Sequence, residues 1–329
     1  MTLPAPGGTW DSEYHAPVLV AESLALLGLP RPGGDDGPRV LDGTLGGGGH
    51  SAALLEAGAE VWGVDRDAEA IAAARARVAD AEAAGRFHAV LGNYADVDTL
   101  PALAGLRFDG ILLDLGISSH QIDDARRGFT FREGAPLDMR MEGGERGDAD
   151  ADPESAAGLL NAADERELAR VFREYADEPR APRLAREVVR RRAQHPFATS
   201  DDLVRAIRGA LGARTGPGDF ARIFQGVRIA VNDELAGLAR ALPALRDRLV
   251  PGGVLAVIAY HSGEDRLVKH TFREWSADCV CPPRQLQCTC RGRALGALLT
   301  RKAVVPSEGE AARNARARSA RLRAWRRGE

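Results

Sequence analysis

The sequence predicts a doubly wound α/β fold, a parallel sheet with helices on both faces, carrying a small helical insertion. Three observations lead there. Short apolar runs alternate with helix-length segments over residues 39–115, the pattern of successive βαβ units. The alternation stops after Ile117, and helical periodicity takes over from Asp164. A long amphipathic segment and a strongly apolar run, Val254 to Tyr260, then resume the α/β pattern.

Each element has its own signal. Arg39 to Asp42 is a short strand ending on a carboxylate, and Gly43 to His50 is too glycine-rich for any regular element. Ser51 to Gly58 reads as a helix closed by glycine, and Glu60 to Asp65 as a strand ending on a second carboxylate. An Ala-rich helix over 68–84 and strands Phe87 to Leu91 and Asp109 to Leu115 follow. In the insertion, Leu168, Val171, Phe172 and Tyr175 stand at i, i+3, i+4 and i+7. Asp164 with Glu167, and Thr199 with Asp202, are capping pairs. The spacing predicts one long helix over 224–249, a turn at Pro251-Gly252-Gly253, and two short tail strands, Ala297 to Val305 and Ser319 to Trp325. The expected domains are 1–128 with 221–329 as a discontinuous α/β domain, and 129–220 as the helical insertion.

Composition narrows the class. The 329 residues are 44% apolar and 28% charged, ordinary for a globular protein. No apolar run reaches the ~20 residues of a membrane-spanning helix. Met1 to Asp11 lacks the basic and apolar regions of a signal peptide, and four cysteines are too few for a disulfide scaffold, so the expected compartment is the cytoplasm. The net charge is −3, yet residues 291–329 carry eleven Arg/Lys against three Asp/Glu. That basic tail is a candidate phosphate-facing patch.

A glycine-rich loop between strand and helix brings backbone close to a ligand and aims helix N–H groups at it. Gly47-x-Gly49-x-x-Ala52 fits a dinucleotide fingerprint, but four consecutive glycines satisfy many patterns. Asp42, just before the loop, opposes a pyrophosphate and suits the amino group and sulfonium of S-adenosylmethionine (AdoMet). Asp65 stands where a carboxylate meets ribose hydroxyls. Asp42, Asp65 and Asp114 all end predicted strands, the edge at which open α/β sheets bind ligands. An NAD(P)-dependent oxidoreductase is the competing enzyme, disfavoured by Asp42 and by the absence of a hydride-transfer constellation. A non-catalytic RNA-binding or assembly protein is a third reading, and the intact acidic strand ends weigh against it.

Beyond the loop, a longer series of motifs runs in order along the chain. It begins with His15-Ala16-Pro17-Val18-Leu19, Leu41-Asp42-Gly43-Thr44 with Gly46 to His50, and Val64-Asp65-Arg66-Asp67. Ile111 to Ser119, Arg127-Gly128-Phe129-Thr130-Phe131 and Pro136-Leu137-Asp138-Met139-Arg140-Met141 follow. Phe224-Gln225, Arg228 to Leu235, His261-Ser262 with Glu264-Asp265-Arg266, and Ala315 to Ala320 complete it. Over about residues 15 to 325 the chain resembles the bacterial 16S rRNA cytosine-N4 methyltransferases, the RsmH (MraW) family. It departs at Gly263 for a usual Leu, Tyr260 for a usual Phe and Gly226 for a usual Ala. The resemblance implies a Rossmann-like AdoMet-dependent methyltransferase sheet. It implies methylation of a cytidine N4 in the decoding region of 16S rRNA within the small ribosomal subunit, with neither DNA nor membrane as partner. It carries AdoMet contacts onto Gly48, Gly49, His50, Asp65, Tyr94, Asp114 and Gln121, which join Asp42.

Cytosine N4 is a poor nucleophile because its lone pair is conjugated into the ring. Catalysis should consist of alignment and of stabilising charge on the amine. Asp114 keeps the acidic first position of the segment that DNA amino-methyltransferases use, without its Pro-Pro. His261 is the second catalytic candidate. A helix N-terminus with Ser262 as N-cap explains Glu264 and Asp265 but leaves His261 unexplained. Substrate-side candidates are Arg266, then Asp138 and Arg140 at the insertion junction, where Met139 and Met141 read first as core fillers. Arg316 and Arg318 complete them, sharing one face if the tail strand reaches them. Asn232 and Glu234 take capping or surface roles. Cys279, Cys281, Cys288 and Cys290 could form an all-thiolate zinc site, but C-x-C pairs reach one ion with strain, and reduced thiols are the preferred reading.

Overall fold

The structure, a computed structural model, describes residues 17–30, 37–117, 121–122, 124–142, 152–212, 214–282, 284–285 and 287–329. Of the residues discussed above, Met1 to Asp11, His15, Ala16, Ser118 and Ser119 lie outside them.

Helix α1 (Val20–Leu27) closes on Gly28, whose left-handed φ of 73° lets its N–H return to the last turn. Strand β1 (Arg39–Asp42), helix α2 (Gly49–Glu56) and strand β2 (Glu60–Asp65) form the first βαβ unit. The helix expected over 68–84 is two, α3 (Ala68–Arg77) and α4 (Ala79–Ala83), because the backbone at Val78 (φ −116°) leaves the helical region. Strands β3 (Phe87–Leu91) and β4 (Phe108–Asp114) follow.

The helical run contains α5 (Ala156–Ala162), α6 (Glu165–Glu174), α7 (Ala181–Arg192), α8 (Ser200–Leu211) and α9 (Pro217–Val231). The capping pairs form as expected. Asp164 accepts the Glu167 N–H at 2.7 Å, and Thr199 and Asp202 make a reciprocal capping box.

Helix α10 (Glu234–Arg248), strand β5 (Leu249–Ala259), helix α11 (Ser262–Trp275), strand β6 (Gly296–Leu298), helix α12 (Glu308–Arg313) and strand β7 (Arg321–Arg327) complete the chain. The single helix expected over 224–249 is therefore α9 and α10. Between them Asp233 takes a left-handed φ of 50°, which Asp tolerates better than most residues. In the tail, Arg316 and Arg318 lie in a 3-10 turn, Ala315–Ser319, before β7 begins. The shared strand face expected for them does not form.

The strands make one seven-stranded sheet in the order β3-β2-β1-β4-β5-β7-β6. β1 to β5 run parallel, and β7 pairs antiparallel with both β5 and β6. Alternate residues feed two cores. Val254, Ala256 and Ile258 of β5 join Leu24, Leu54 and Ile71 from α1 to α3, while Leu255 and Val257 join Leu238 and Phe272 from α10 and α11. This is the doubly wound, Rossmann-like sheet expected from the sequence.

Two compact units result, Met1–Gly116 with Leu235–Glu329, and Ile117–Glu234. The second has its own core, built around Leu168, Phe172, Val188, Ile207 and Phe224. The expected boundary at 220 falls inside α9, whose Phe220, Ile223, Phe224 and Val227 all pack into that core.

Candidate active site

In the sheet order, β1 is followed on one side by β2 and on the other by β4. The crevice beyond the C-terminal ends of such a pair is where open α/β sheets bind ligands. Asp42 ends β1, Asp114 ends β4, and Asp65 ends β2.

Each carboxylate is held. Asp42, 1% exposed, accepts from the Ser51 hydroxyl at 2.7 Å and from the Thr44 N–H at 3.3 Å. Asp65 accepts the Gly46 N–H on Oδ2 at 2.8 Å and the Asp67 N–H on Oδ1 at 2.9 Å. Asp114 accepts from the Tyr260 phenol at 2.8 Å, and its own N–H donates to Thr44 Oγ1 at 2.6 Å. Burial pushes all three carboxyls above the ordinary carboxylate value. The bonds from Ser51 and Thr44, from Asp67 and Gly46, and from Tyr260 pull the other way, as does His50 at Asp42 and Asp114.

His50 lies in the first turn of α2. Its Nε2 stands 2.9 Å from the Val18 carbonyl, which can only accept, so Nε2 carries a proton. Nδ1 faces Asp114 Oδ2 at 3.5 Å.

The glycines divide by purpose. Gly46 takes a φ of 51° while its N–H meets Asp65. Gly48, at φ 76°, starts α2, and a Cβ there would stand 3.0 Å from Ala74 Cβ on α3. A Cβ on Gly49 would press on Pro17, whereas one on Gly47 would meet nothing within 4 Å. Tyr94 opens a short 3-10 turn after β3, close enough to Gly43 that a Cβ there would lie 3.4 Å from its own.

On the same unit, a cavity of about 420 Å³ is lined by Arg266 and Lys269 from α11, by Arg318 and Arg321 from the tail, and by His261 and Ser262. Arg316 is not among its lining residues. His261, not Ser262, is the N-cap of α11. Its Nδ1 accepts the Glu264 N–H at 3.4 Å, and Glu264 returns a carboxylate oxygen to the N–H groups of His261 and Tyr260. Its presence is thus accounted for by the cap. Asp265 is taken by Arg323 in a fork of 2.7 and 3.1 Å, both side chains largely buried.

In the second unit, Asp138 is buried and forks the Arg140 guanidinium, which also meets Asp152. Met139 is buried with a left-handed φ of 61°, in keeping with a core filler. Gln121 is buried with its amide 3.4 Å from the Met141 carbonyl. Asn232, read from the sequence as a capping or surface residue, is the C-cap of α9, its amide donating to the Arg228 carbonyl at 2.9 Å, and it is buried, not at the surface. It donates to the Met139 carbonyl at 2.7 Å and accepts the Met141 N–H at 2.8 Å. Glu234 forks Arg228 at 2.7 and 2.9 Å.

The sequence profile of the MraW methylase family matches residues 12–328. The chain belongs to that family. A protein of Gemmatimonas aurantiaca named ribosomal RNA small subunit methyltransferase H is 63% identical over 322 residues, covering 98% of each chain. One of the same name from Heliobacterium modesticaldum is 45% identical, covering 94% of this chain and 97% of its own. Among solved structures, an rRNA methylase from Streptococcus thermophilus aligns over 94% of this chain and 96% of its own, with a TM-score of 0.42 and 11% identity.

Within this MraW-family chain, Asp42, His50, Asp65 and Asp114 come together in the first unit, whereas Gln121, Asp138 and Arg140 belong to the second. Sequence reasoning missed Thr44, Gly46, Ser51 and Tyr260, which orient the three carboxylates. Thr44 and Ser51 carried a signal, since each flanks the glycine run that the acidic strand end enters.

Proposed function

We propose that this chain transfers a methyl group from AdoMet to the N4 amino group of a cytidine in the decoding region of 16S rRNA, within the small ribosomal subunit. The observation that carries the reading is the set of three oriented carboxylates at the ends of β1, β2 and β4, Asp42 buried and Asp65 and Asp114 half-buried. Family membership and the relatives' names support the rRNA substrate. The N4 position and the decoding region rest on the resemblance of the motifs. The cytoplasm is the matching compartment, and among the described residues no helix is long and apolar enough to cross a membrane.

The residues fit AdoMet better than a dinucleotide. Three acidic groups attract the amino group and sulfonium and repel a pyrophosphate. Asp65 uses two lone-pair sites on backbone N–H groups and keeps others for ribose hydroxyls. Gly47 leaves open space at the loop, and α2 starts without a side-chain cap. AdoMet would supply a methyl group on a good leaving group. Asp114, fixed by Tyr260 and Thr44, accepts an N4–H bond, aligns the amine and stabilises its growing positive charge. Arg266 and Arg318 hold phosphates beside the base, and the second unit grips RNA.

The test is radiolabelled methyl transfer from AdoMet to small subunits lacking the modification, followed by nucleoside digestion. Label in N4-methylcytidine is expected, with Asp114→Asn severely impaired. Asp65→Ala should weaken AdoMet by about 2–4 kcal/mol in calorimetry. Label on another atom would overturn the substrate assignment, and unchanged affinity in the Asp65 variant the cofactor site.

A further inference from the structure

Between α11 and β6 lie twenty residues, 276–295, and those of them that the structure describes form neither helix nor strand. A connection of that length inside a compact unit needs something to order it. Its stem is closed, since Leu295 donates its N–H to the Trp275 carbonyl at 2.8 Å and Arg291 reaches the Glu274 and Ala277 carbonyls. Its far end contains every cysteine of the protein, all four unpaired by disulfides.

The four sulfurs converge. Cys279 and Cys288 are 3.8 Å apart, Cys281 and Cys288 3.9 Å, Cys288 and Cys290 3.5 Å, and Cys290 and Cys279 3.8 Å. All four Sγ atoms lie within 4.8 Å of one another. A disulfide needs about 2.05 Å, so these are not bonded pairs. A tetrahedral zinc thiolate with Zn–S of about 2.3 Å has sulfur–sulfur edges of about 3.8 Å.

The backbone around them is arranged reciprocally. Val280, between the first two cysteines, donates its N–H to Cys290 Sγ at 3.4 Å. Thr289, between the last two, donates to Cys281 Sγ at 3.4 Å. The middle residue of each C-x-C pair thus serves the second sulfur of the other pair. N–H donors of this kind stabilise thiolates and orient metal ligands.

We propose that Cys279, Cys281, Cys288 and Cys290 form a structural tetrathiolate site for one zinc ion that staples the 276–295 loop. Binding replaces four S–H bonds with four Zn–S bonds and releases up to four protons, with no redox change. The ion has no open coordination position and takes no part in methyl transfer. Four thiolates and Zn²⁺ sum to −2, and Arg284, Arg291 and Arg293 in the same segment offset that charge.

The full-length protein, purified under reducing conditions without chelator, should contain about one zinc per chain by elemental analysis. After removal of the metal, titration with cobalt(II) alone should give the intense visible bands of a tetrahedral thiolate complex at the same stoichiometry, and zinc should displace them. Replacing one cysteine of each pair, Cys279→Ser with Cys288→Ser, should weaken zinc by more than about 100-fold. Cys279→His should retain it. Full zinc content in the double serine variant would overturn the proposal. So would wild-type protein that takes up neither metal under reducing conditions, a measurement that stands even if the variants fail to fold.

Discussion

The Tyr260 phenol donates to Asp114 Oδ1 across 2.8 Å, from the residue that follows β5 to the last residue of its neighbour β4. Burial, with the Asp114 charge beside it, pushes the phenol well above its ordinary value, so it stays a donor. Tyr260→Phe keeps the ring and removes the hydroxyl. The bond goes to a carboxylate, so its loss should cost about 1.5–3 kcal/mol of stability. It should also raise the Asp114 carboxyl further, since the phenol now pulls it down. The expected outcome is a lower denaturation midpoint, with the acidic limb of the methylation pH profile shifted upward. A pH profile identical to wild type would show that Asp114 does not titrate in the reaction.

A second expectation concerns pH and the cofactor. Asp42, Asp65 and Asp114 all have folded pKa values raised above 3.8. Groups raised in this way favour the folded state most below 3.8, and that contribution is lost as pH rises through their folded values. If AdoMet binds to the charged carboxylates, as proposed, its binding follows the opposite course. Its affinity should fall as pH drops into that window, and its binding there should release protons. The stabilisation it confers in thermal melts should therefore shrink as pH falls. Calorimetry in buffers of different ionisation enthalpy measures the protons directly. Zero release throughout the window would mean that the carboxylates do not meet the ligand.

A third prediction lies in the second unit. Asn232 bonds to Met139 and Met141 from a buried position, and no apolar residue can replace those bonds. Asn232→Ala removes its bonds to a buried carbonyl and to a half-buried N–H and should cost about 2–4 kcal/mol. Chemical denaturation compared with Glu234→Gln, which weakens the fork with Arg228, checks it. Equal losses would mean that the side-chain bonds of Asn232 add nothing special.

The strand-end carboxylates were legible because a strand shows its length in an apolar run and its end in the first charged residue. What orients them was not. Tyr260 meets Asp114 only because β4 and β5 pair in the register Asp114↔Ile258, which no local pattern encodes. His261 resisted explanation because the helix start was placed one residue late, and a cap is defined by that single residue. Asn232 was hidden in a helical periodicity that runs on past the turn at Asp233. The tail misled for a related reason, since alternating Arg and Ala in Ala315 to Arg318 suits a strand and a tight turn equally.

The tail arginines divide into Arg323, which is forked with Asp265, and Arg318 and Arg321, which line the cavity. Arg323 is forked by Asp265, with both side chains largely buried, so Arg323→Ala removes two charge-assisted bonds and should cost about 1.5–3 kcal/mol. Arg318 and Arg321 line the cavity with Arg266 and Lys269, and four cations there exceed what Asp265 can neutralise. If that surplus meets the RNA backbone, log affinity should fall linearly with log salt, with a slope near −0.7 per contact for single strands. Arg318→Ala and Arg321→Ala should each flatten the slope by about that amount without unfolding the protein. Arg323→Ala should instead lower stability, and Arg316→Ala should change the slope least, because Arg316 does not line the cavity. The measurement is small-subunit binding across a salt series for all four variants, beside naked 16S rRNA as substrate. Assembled subunits, which present the target base in one fixed shape, should be methylated far faster than naked rRNA if an unpaired or extruded base is required at the site. Equal slopes in wild type and Arg318→Ala would return that residue to a folding role. Equal rates on the two substrates would mean that the enzyme reads local sequence instead of the shape of the subunit.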